Sequence, residues 1–276
     1  MAVKPVRITA VILLLVLGAA RLAAQQGAAL SNPLGDDRFK TRVLIGPVGG
    51  IDINSHSGGF RVLPGVDCPY FTDGSGWGYL FGLTAEIQTA RTWSIIPRIT
   101  YESRPGHFQQ RLADAQVYVP DSVNPQVVTE GVSATSDITF KFINMEVMYS
   151  QQLIEVSPRF RISAAAGPCM GYVLSGKITQ VQDLEEPLNA QFVNPDGLPT
   201  ENNNRRLIYA RDQKISGLAP FRFSLKGGLA VELGLFHNDW ILYPGVYFDY
   251  GLNQVTRNEN WNLNTLIFQL ELRHAL

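Results

Sequence analysis

Cysteine, histidine and charge are all scarce in this sequence. Of its 276 residues two are cysteine, four are histidine and 17% are charged, against about a quarter charged in an ordinary globular chain. Cys68 and Cys169 stand far apart with no histidine beside either, which speaks against a cysteine–histidine metal centre. An even cysteine count permits one disulfide in an oxidising compartment, but Cys68 falls in a loop and Cys169 in a strand, and their pairing stays open. There is no Cys-x-x-Cys pair and no phosphate-binding glycine loop, and nothing calls for a cofactor. The formal charge of −1 and pI of about 6.4 speak against a nucleic-acid partner. Beyond the N-terminus no apolar run approaches about 18 residues, which excludes a helical membrane protein.

Glycine and proline are abundant at 25 and 16 residues, and 10% of the chain is aromatic, a mixture that favours strands and turns. Eight segments alternate with the two-residue period of a strand. In "DWILYPGVYFDYGL" (239–252), Trp240, Leu242, Pro244, Val246, Phe248, Tyr250 and Leu252 share one side; Tyr243, Gly245, Tyr247, Asp249 and Gly251 share the other. The same split recurs near residues 43–53, 76–88, 93–103, 142–149, 159–174, 221–233 and 263–276. Short connections alternate strictly with long ones near 54–76, 104–138, 176–218 and 253–263. An up-and-down antiparallel meander of eight strands, all short turns at one end, follows from that order.

Eight strands fit a soluble, lipocalin-like barrel with the apolar face inside or a membrane barrel with it outside. Two observations favour the membrane. Aromatics of the apolar face gather at two levels: Trp93, Tyr149, Phe160 and Trp240 beside the short turns, and Trp77, Tyr79, Tyr101, Tyr172, Phe221, Phe223 and Tyr250 beside the long loops. These make the two girdles of a membrane–water interface. An eight-stranded interior also has room only for its own smaller side chains, and the apolar face would overpack it. The expected fold is therefore an all-β, eight-stranded antiparallel up-and-down transmembrane β-barrel.

That reading fixes the remaining assignments. "MAVKPVR" followed by "ITAVILLLVLGAA" reads as a signal peptide over 1–24, cleaved after Ala24 or alternatively Ala20, with a retained anchor as the competing reading. A periplasmic segment (25–41) and the barrel (42–276) follow, in the cell outer membrane. Glu86, Arg98, Glu102, Glu146, Arg161, Lys226, Glu232, Asp249, Glu271 and Arg273, with Asp52, point inward. Their near balance implies interlocked ion pairs and a plugged interior. Pro47, Pro97, Pro168 and Pro244 fall mid-strand on the outer face, where each is expected to mark a bulge or break. His56 and His107 lie toward the outer rim and are the candidates for catalysis, but "NSHSGG" and "PGHFQQR" carry no catalytic spacing; His237 and His274 lie at the other end.

The stretches "IPRITYESRPG", "INMEVMYSQ", "ISAAAGPCMGYVLSGK" and "SLKGGLAVELG" resemble successive strands of the outer-membrane β-barrel domain family common in Bacteroidota. That family includes a barrel accessory to type IX secretion, and the likeness spans roughly residues 40–276. Arg98 stands where an acid is usual, and the chain ends "ELRHAL" rather than in an aromatic, with Phe268 the nearest substitute. The expected function is non-enzymatic: a monomeric surface scaffold surrounded by outer-membrane lipid, binding partners through long loops. A component of a secretion or assembly complex and an outer-leaflet lipid-modifying enzyme are the alternatives.

Overall fold

The computed structural model describes residues 42–60, 71–90, 92–119, 126–157, 159–184, 191–192, 206–235 and 240–276. The expected signal peptide (1–24) and periplasmic segment (25–41), Cys68 and His237 lie outside the described residues. Ten strands are present among those described: β1 (Arg42–Phe60), β2 (Phe71–Gln88), β3 (Trp93–Val119), β4 (Gln126–Ser157), β5 (Phe160–Leu184), β6 (Gln191–Phe192), β7 (Leu207–Lys214), β8 (Phe221–Leu235), β9 (Trp240–Gly251) and β10 (Asn260–Ala275). Among these residues no helix is long and apolar enough to cross a membrane.

Eight of the strands close a ring in the order β1-β2-β3-β4-β5-β8-β9-β10, every neighbour antiparallel, sealed by the pairing of β10 with β1. β6 adds to the far end of β3, and β7 takes over the edge of β5 from Lys177 to Asp183, beyond the stretch paired with β8. The stagger of the ring can be read rung by rung. Val43 pairs Ile87, which pairs Ile95, then Tyr149, Ala166, Gly227, Phe248 and Leu266, which returns to β1 at Ile53. One circuit therefore climbs ten residues (53 − 43). Eight strands with that stagger tilt roughly 40° from the barrel axis and leave an interior that side chains alone can fill.

Alternation sorts the side chains as the two-residue period requires. On β2, Trp77 and Leu83 are 66% and 69% exposed, whereas Leu80, Thr84 and Glu86, of the opposite parity, are buried. Inside, two apolar clusters flank the charged residues. One, nearer the short turns, includes Leu44, Val48, Leu80, Ile96, Met148, Tyr243 and Tyr247; the other, nearer the long hairpins, includes Phe71, Phe108, Ile138, Phe140, Phe142, Trp261 and Leu263.

Much of what reads as long loop is strand. β3 and β4 stay in register from Trp93↔Gln151 to Val119↔Gln126, with one irregularity between Leu112 and Ala115. The expected loop 104–138 is thus chiefly a tall hairpin, and 54–76 and 176–218 are partly strand as well. The reason is inward apolar side chains that continue past the membrane level, Phe108 on β3 and Ile138 and Phe140 on β4, which give those strands a core to close over.

The mid-strand prolines mark local breaks rather than bulges. Each removes two rungs from one seam while the register on both sides of the gap stays in step. The gaps lie at Pro47 between β1 and β10, at Pro97 between β2 and β3, at Pro168 between β4 and β5, and at Pro244 between β8 and β9. On its other side each proline keeps its partner: Leu83, Val147, Leu225 and Leu270 respectively. Alternate seams of the ring are therefore opened, and the intervening four stay paired at the level of the prolines. At the first gap Leu272 O approaches the Cα of Gly46 so closely that a Cβ there would lie 1.8 Å from it. Only glycine fits that position in the closing seam.

Candidate functional site

The barrel interior holds a ladder of ion pairs built by side chains of the same strand face. Glu271 and Arg273 sit two residues apart on β10, and Glu102 and Arg104 do so on β3, so each pair points inward together. Arg273 donates through Nη1 to Glu86 and through Nε and Nη2 to Glu271 Oε2 at 2.8 and 2.6 Å, with its guanidinium 4.0 Å from the Tyr243 ring. Glu271 Oε1 also receives Arg98 Nη2 at 2.7 Å. Arg98 reaches Glu146 Oε2 at 3.4 Å, and Lys226 Nζ donates to Glu146 Oε1 at 2.8 Å.

A second group stands nearer the long hairpins. Asp249 accepts from Arg104 Nη2 at 2.6 Å and from Arg222 at 3.0 and 3.2 Å, while Arg104 Nε donates to Glu102 Oε2 at 2.8 Å. Arg222 Nη2 also donates to Leu263 O at 2.8 Å, and Asn54 bridges Asp52 and Thr265. The buried charges among the described residues are Asp52, Glu86, Glu102, Glu146, Asp249 and Glu271 against Arg98, Arg104, Arg222, Lys226 and Arg273. An ion in such an interior costs several kcal/mol unless partnered, and this mutual pairing supplies the offset.

Not every inward charge joins the ladder. Arg161 and Glu232 pair in register at the short-turn mouth, where they line a small recess with Glu86, Ser94, Ser150 and Gln152. Arg161 Nη2 lies 3.9 Å from Glu155 in that partly exposed setting. Arg104 falls at the start of the stretch expected as a long connection (104–138), which keeps it out of the inward set read from the sequence; the Glu-x-Arg spacing it shares with Glu271 and Arg273 is the signal that finds it. Cys169 is buried and free in the interior, opposite Glu146 and Ser224 on its neighbouring strands. Cys68, with which its pairing stays open, lies outside the described residues.

Above the ladder the interior turns aromatic. His56 is buried between Phe108, Phe140 and Trp261, with ring centroids 5.4, 6.0 and 5.9 Å away. Trp261 Nε1 donates to His56 Nδ1 at 3.2 Å, and His56 Nε2 faces the carbonyl of Pro105 at 3.2 Å. This histidine packs the outer mouth. His107 instead sits on the exposed face of the β3–β4 hairpin, its Nδ1 2.6 Å from Asp137 Oδ1. Ser75 stands opposite His107 on β2, and among the described residues no group of three metal-ligating side chains forms.

The outer surface carries the complementary feature. Trp77, Tyr79, Tyr149, Tyr172, Phe221, Trp240 and Tyr250 are exposed, with Trp93, Tyr101 and Phe160 half-exposed. Trp240 and Tyr250 stand at opposite ends of β9, ten residues apart. At the strand rise and tilt of this ring that separation is roughly 25 Å along the barrel axis, the height of an outer-membrane apolar band. Residues 31–257 match the model of a family described as "Outer membrane protein beta-barrel domain". The chain belongs to that family. This outer-membrane barrel accordingly turns Leu83, Met145, Leu225 and Leu270 toward lipid, and its short turns mark the periplasmic end.

The barrel is similar to several solved structures. Outer membrane protein OprG from Pseudomonas aeruginosa is 10% identical, with 86% of this chain and 97% of that one covered and a TM-score of 0.40. The neisserial surface protein A is 9% identical over 84% and 96%, with a TM-score of 0.39. Outer membrane protein W from E. coli is 11% identical over 83% and 98%, with a TM-score of 0.31. No curated protein matches the chain.

Proposed function

We propose that this protein is a sealed, non-enzymatic, monomeric barrel that serves as a surface scaffold, holding a rigid β-sheet above the membrane for contact with partners. The observation that carries the reading is the pairing of an occluded interior with tall outer strands. The ion ladder and the His56 aromatic layer occupy the axis, while β3 and β4 run as far as Val119 and Gln126. A rigid platform whose edge and loops face outward is where binding residues concentrate. The N-terminal signal segment of the sequence fits export to that surface.

Conductance in planar bilayers tests the sealed part: the purified barrel gives a flat baseline, and a stable open pore overturns the reading. A second reading, membership of a secretion or assembly complex, is favoured by the four strand motifs that resemble the Bacteroidota branch with a type IX secretion accessory. Purification from native membranes separates the two, since the scaffold reading yields a lone barrel and the complex reading a stoichiometric partner.

A further inference from the structure

Among the described residues, the outward surface above the outer aromatic girdle carries its lysines on one side only. Tyr101, Ile143, Tyr172 and Phe221 form one continuous cross-strand row in that girdle. Lys141 lies two residues above Ile143 on β4, and Lys177 is opposite Thr139, four residues above it. At the rise and tilt of these strands the two lysines stand roughly 5 and 10 Å above the row, in the headgroup layer rather than the hydrocarbon. Lys214 of β7 sits directly opposite Lys177 in the same ladder.

Like charges directly opposite each other across a ladder are destabilising. Lys177 has Asp212 at 3.7 Å, a largely exposed pair; Lys141 and Lys214 have no acidic partner among the described residues. Thr139 and Ser175, between the lysines, add hydroxyl donors. On the far side of the ring the described outward residues at this height are Ser55, Ser57, Asp73, Ser75, Asn262 and Asn264, with no cation among them.

We propose that Lys141, Lys177 and Lys214 form a docking site for the phosphorylated headgroup of an outer-leaflet lipid. A phosphate in this position relieves the Lys177–Lys214 repulsion and receives charge-assisted hydrogen bonds, and the adjacent girdle residues Tyr172 and Ile143 hold the acyl chains of the same lipid. The height of the cluster favours a lipid over a soluble polyanion, because the lysines begin where the aromatic row ends. The site does not depend on the scaffold reading and stands whether or not the barrel conducts.

The test uses the full barrel in phosphatidylcholine nanodiscs doped with either bisphosphorylated lipid A or its enzymatically dephosphorylated form. Bound lipid is counted by native mass spectrometry after detergent extraction. The wild type is expected to retain the phosphorylated lipid. Each Lys→Gln change should lower its retention about fivefold and K141Q/K177Q/K214Q about a hundredfold, at roughly the contribution of one basic residue near a charged surface. Arg159→Gln, a control at an exposed residue of the short β4–β5 turn at the other end of the barrel, should leave retention unchanged. Equal retention of the two lipids, undiminished retention by the triple variant, or loss of the phosphorylated lipid to a soluble heparin oligosaccharide that ignores the girdle would each overturn the proposal. Unchanged thermal melting of the triple variant assigns any loss to the site rather than to misfolding.

Discussion

Trp261 donates its indole N–H to Nδ1 of His56 across 3.2 Å, joining the first and last strands of the ring above the membrane. An indole nitrogen can only donate, so Nδ1 is the acceptor, and the proton of the neutral ring sits on Nε2, donated to Pro105 O. Burial in the aromatic layer, with the Arg104 and Arg222 guanidinium groups adding repulsion, pushes the imidazole down to about 4 from its usual 6.5; the Pro105 bond opposes this in part.

Between those two values the unfolded chain binds a proton that the folded barrel refuses. Stability is therefore full above about pH 6.5 and is lost as pH falls toward 4, by up to about 3 kcal/mol. Urea unfolding in detergent micelles across this range checks it. His56→Phe should remove that share of the pH dependence, and an identical profile in wild type and variant would contradict the assignment.

Asp249 carries the heaviest demand in the upper ion group, accepting from both Arg104 and Arg222. Asp249→Asn leaves two buried guanidinium groups short of a counter-charge. A loss of about 3–5 kcal/mol in unfolding free energy is expected. A cost below about 1 kcal/mol would mean that water reaches the interior and solvates the arginines.

The proline gaps make a prediction about backbone exchange. Pro97 lacks the N–H that would complete the β2–β3 seam, where the register is nevertheless preserved from Thr84↔Arg98 to Ile87↔Ile95. Pro97→Ala restores the donor without moving either strand. Its new amide should exchange slowly, and stability should change by no more than about 1 kcal/mol, because the bond gained and the unfolded-chain rigidity lost are similar in size. A fast-exchanging amide at position 97 would show that the seam is splayed.

Cys169 is buried in the interior at 3% exposure. In a Cys68→Ser background its thiol should resist a maleimide reagent in the folded barrel and react fully after unfolding. Labelling in the folded state would place an open passage beside Glu146 and Ser224.

Which parts of this architecture the sequence reveals follows from how local each one is. The strict alternation of "DWILYPGVYFDYGL" is a property of neighbouring residues, and the lipid-facing side of β9 can be read from it without any partner strand. The tall outer hairpins are harder. Pro105 and Gly106 interrupt β3 and suggest a loop, yet Phe108, Ile138 and Phe140 resume the inward parity and bury one another. His56 and Trp261, 205 residues apart, meet only because β1 and β10 close the ring at one register. The prolines are half legible: a missing N–H predicts the two-rung break found at each of them, but the pairing kept on the proline's other side holds the register, so no bulge forms.

Collisional accessibility of nitroxide labels on the outer face tests the central claim, that this face meets hydrocarbon and the charges meet the axis. Labels at positions 83 and 225, midway between the girdles, should collide freely with oxygen and hardly at all with a water-soluble nickel complex. A label at position 75, above the outer girdle, should show the reverse. Nickel access at positions 83 and 225 equal to that at 75 would contradict a membrane-embedded barrel.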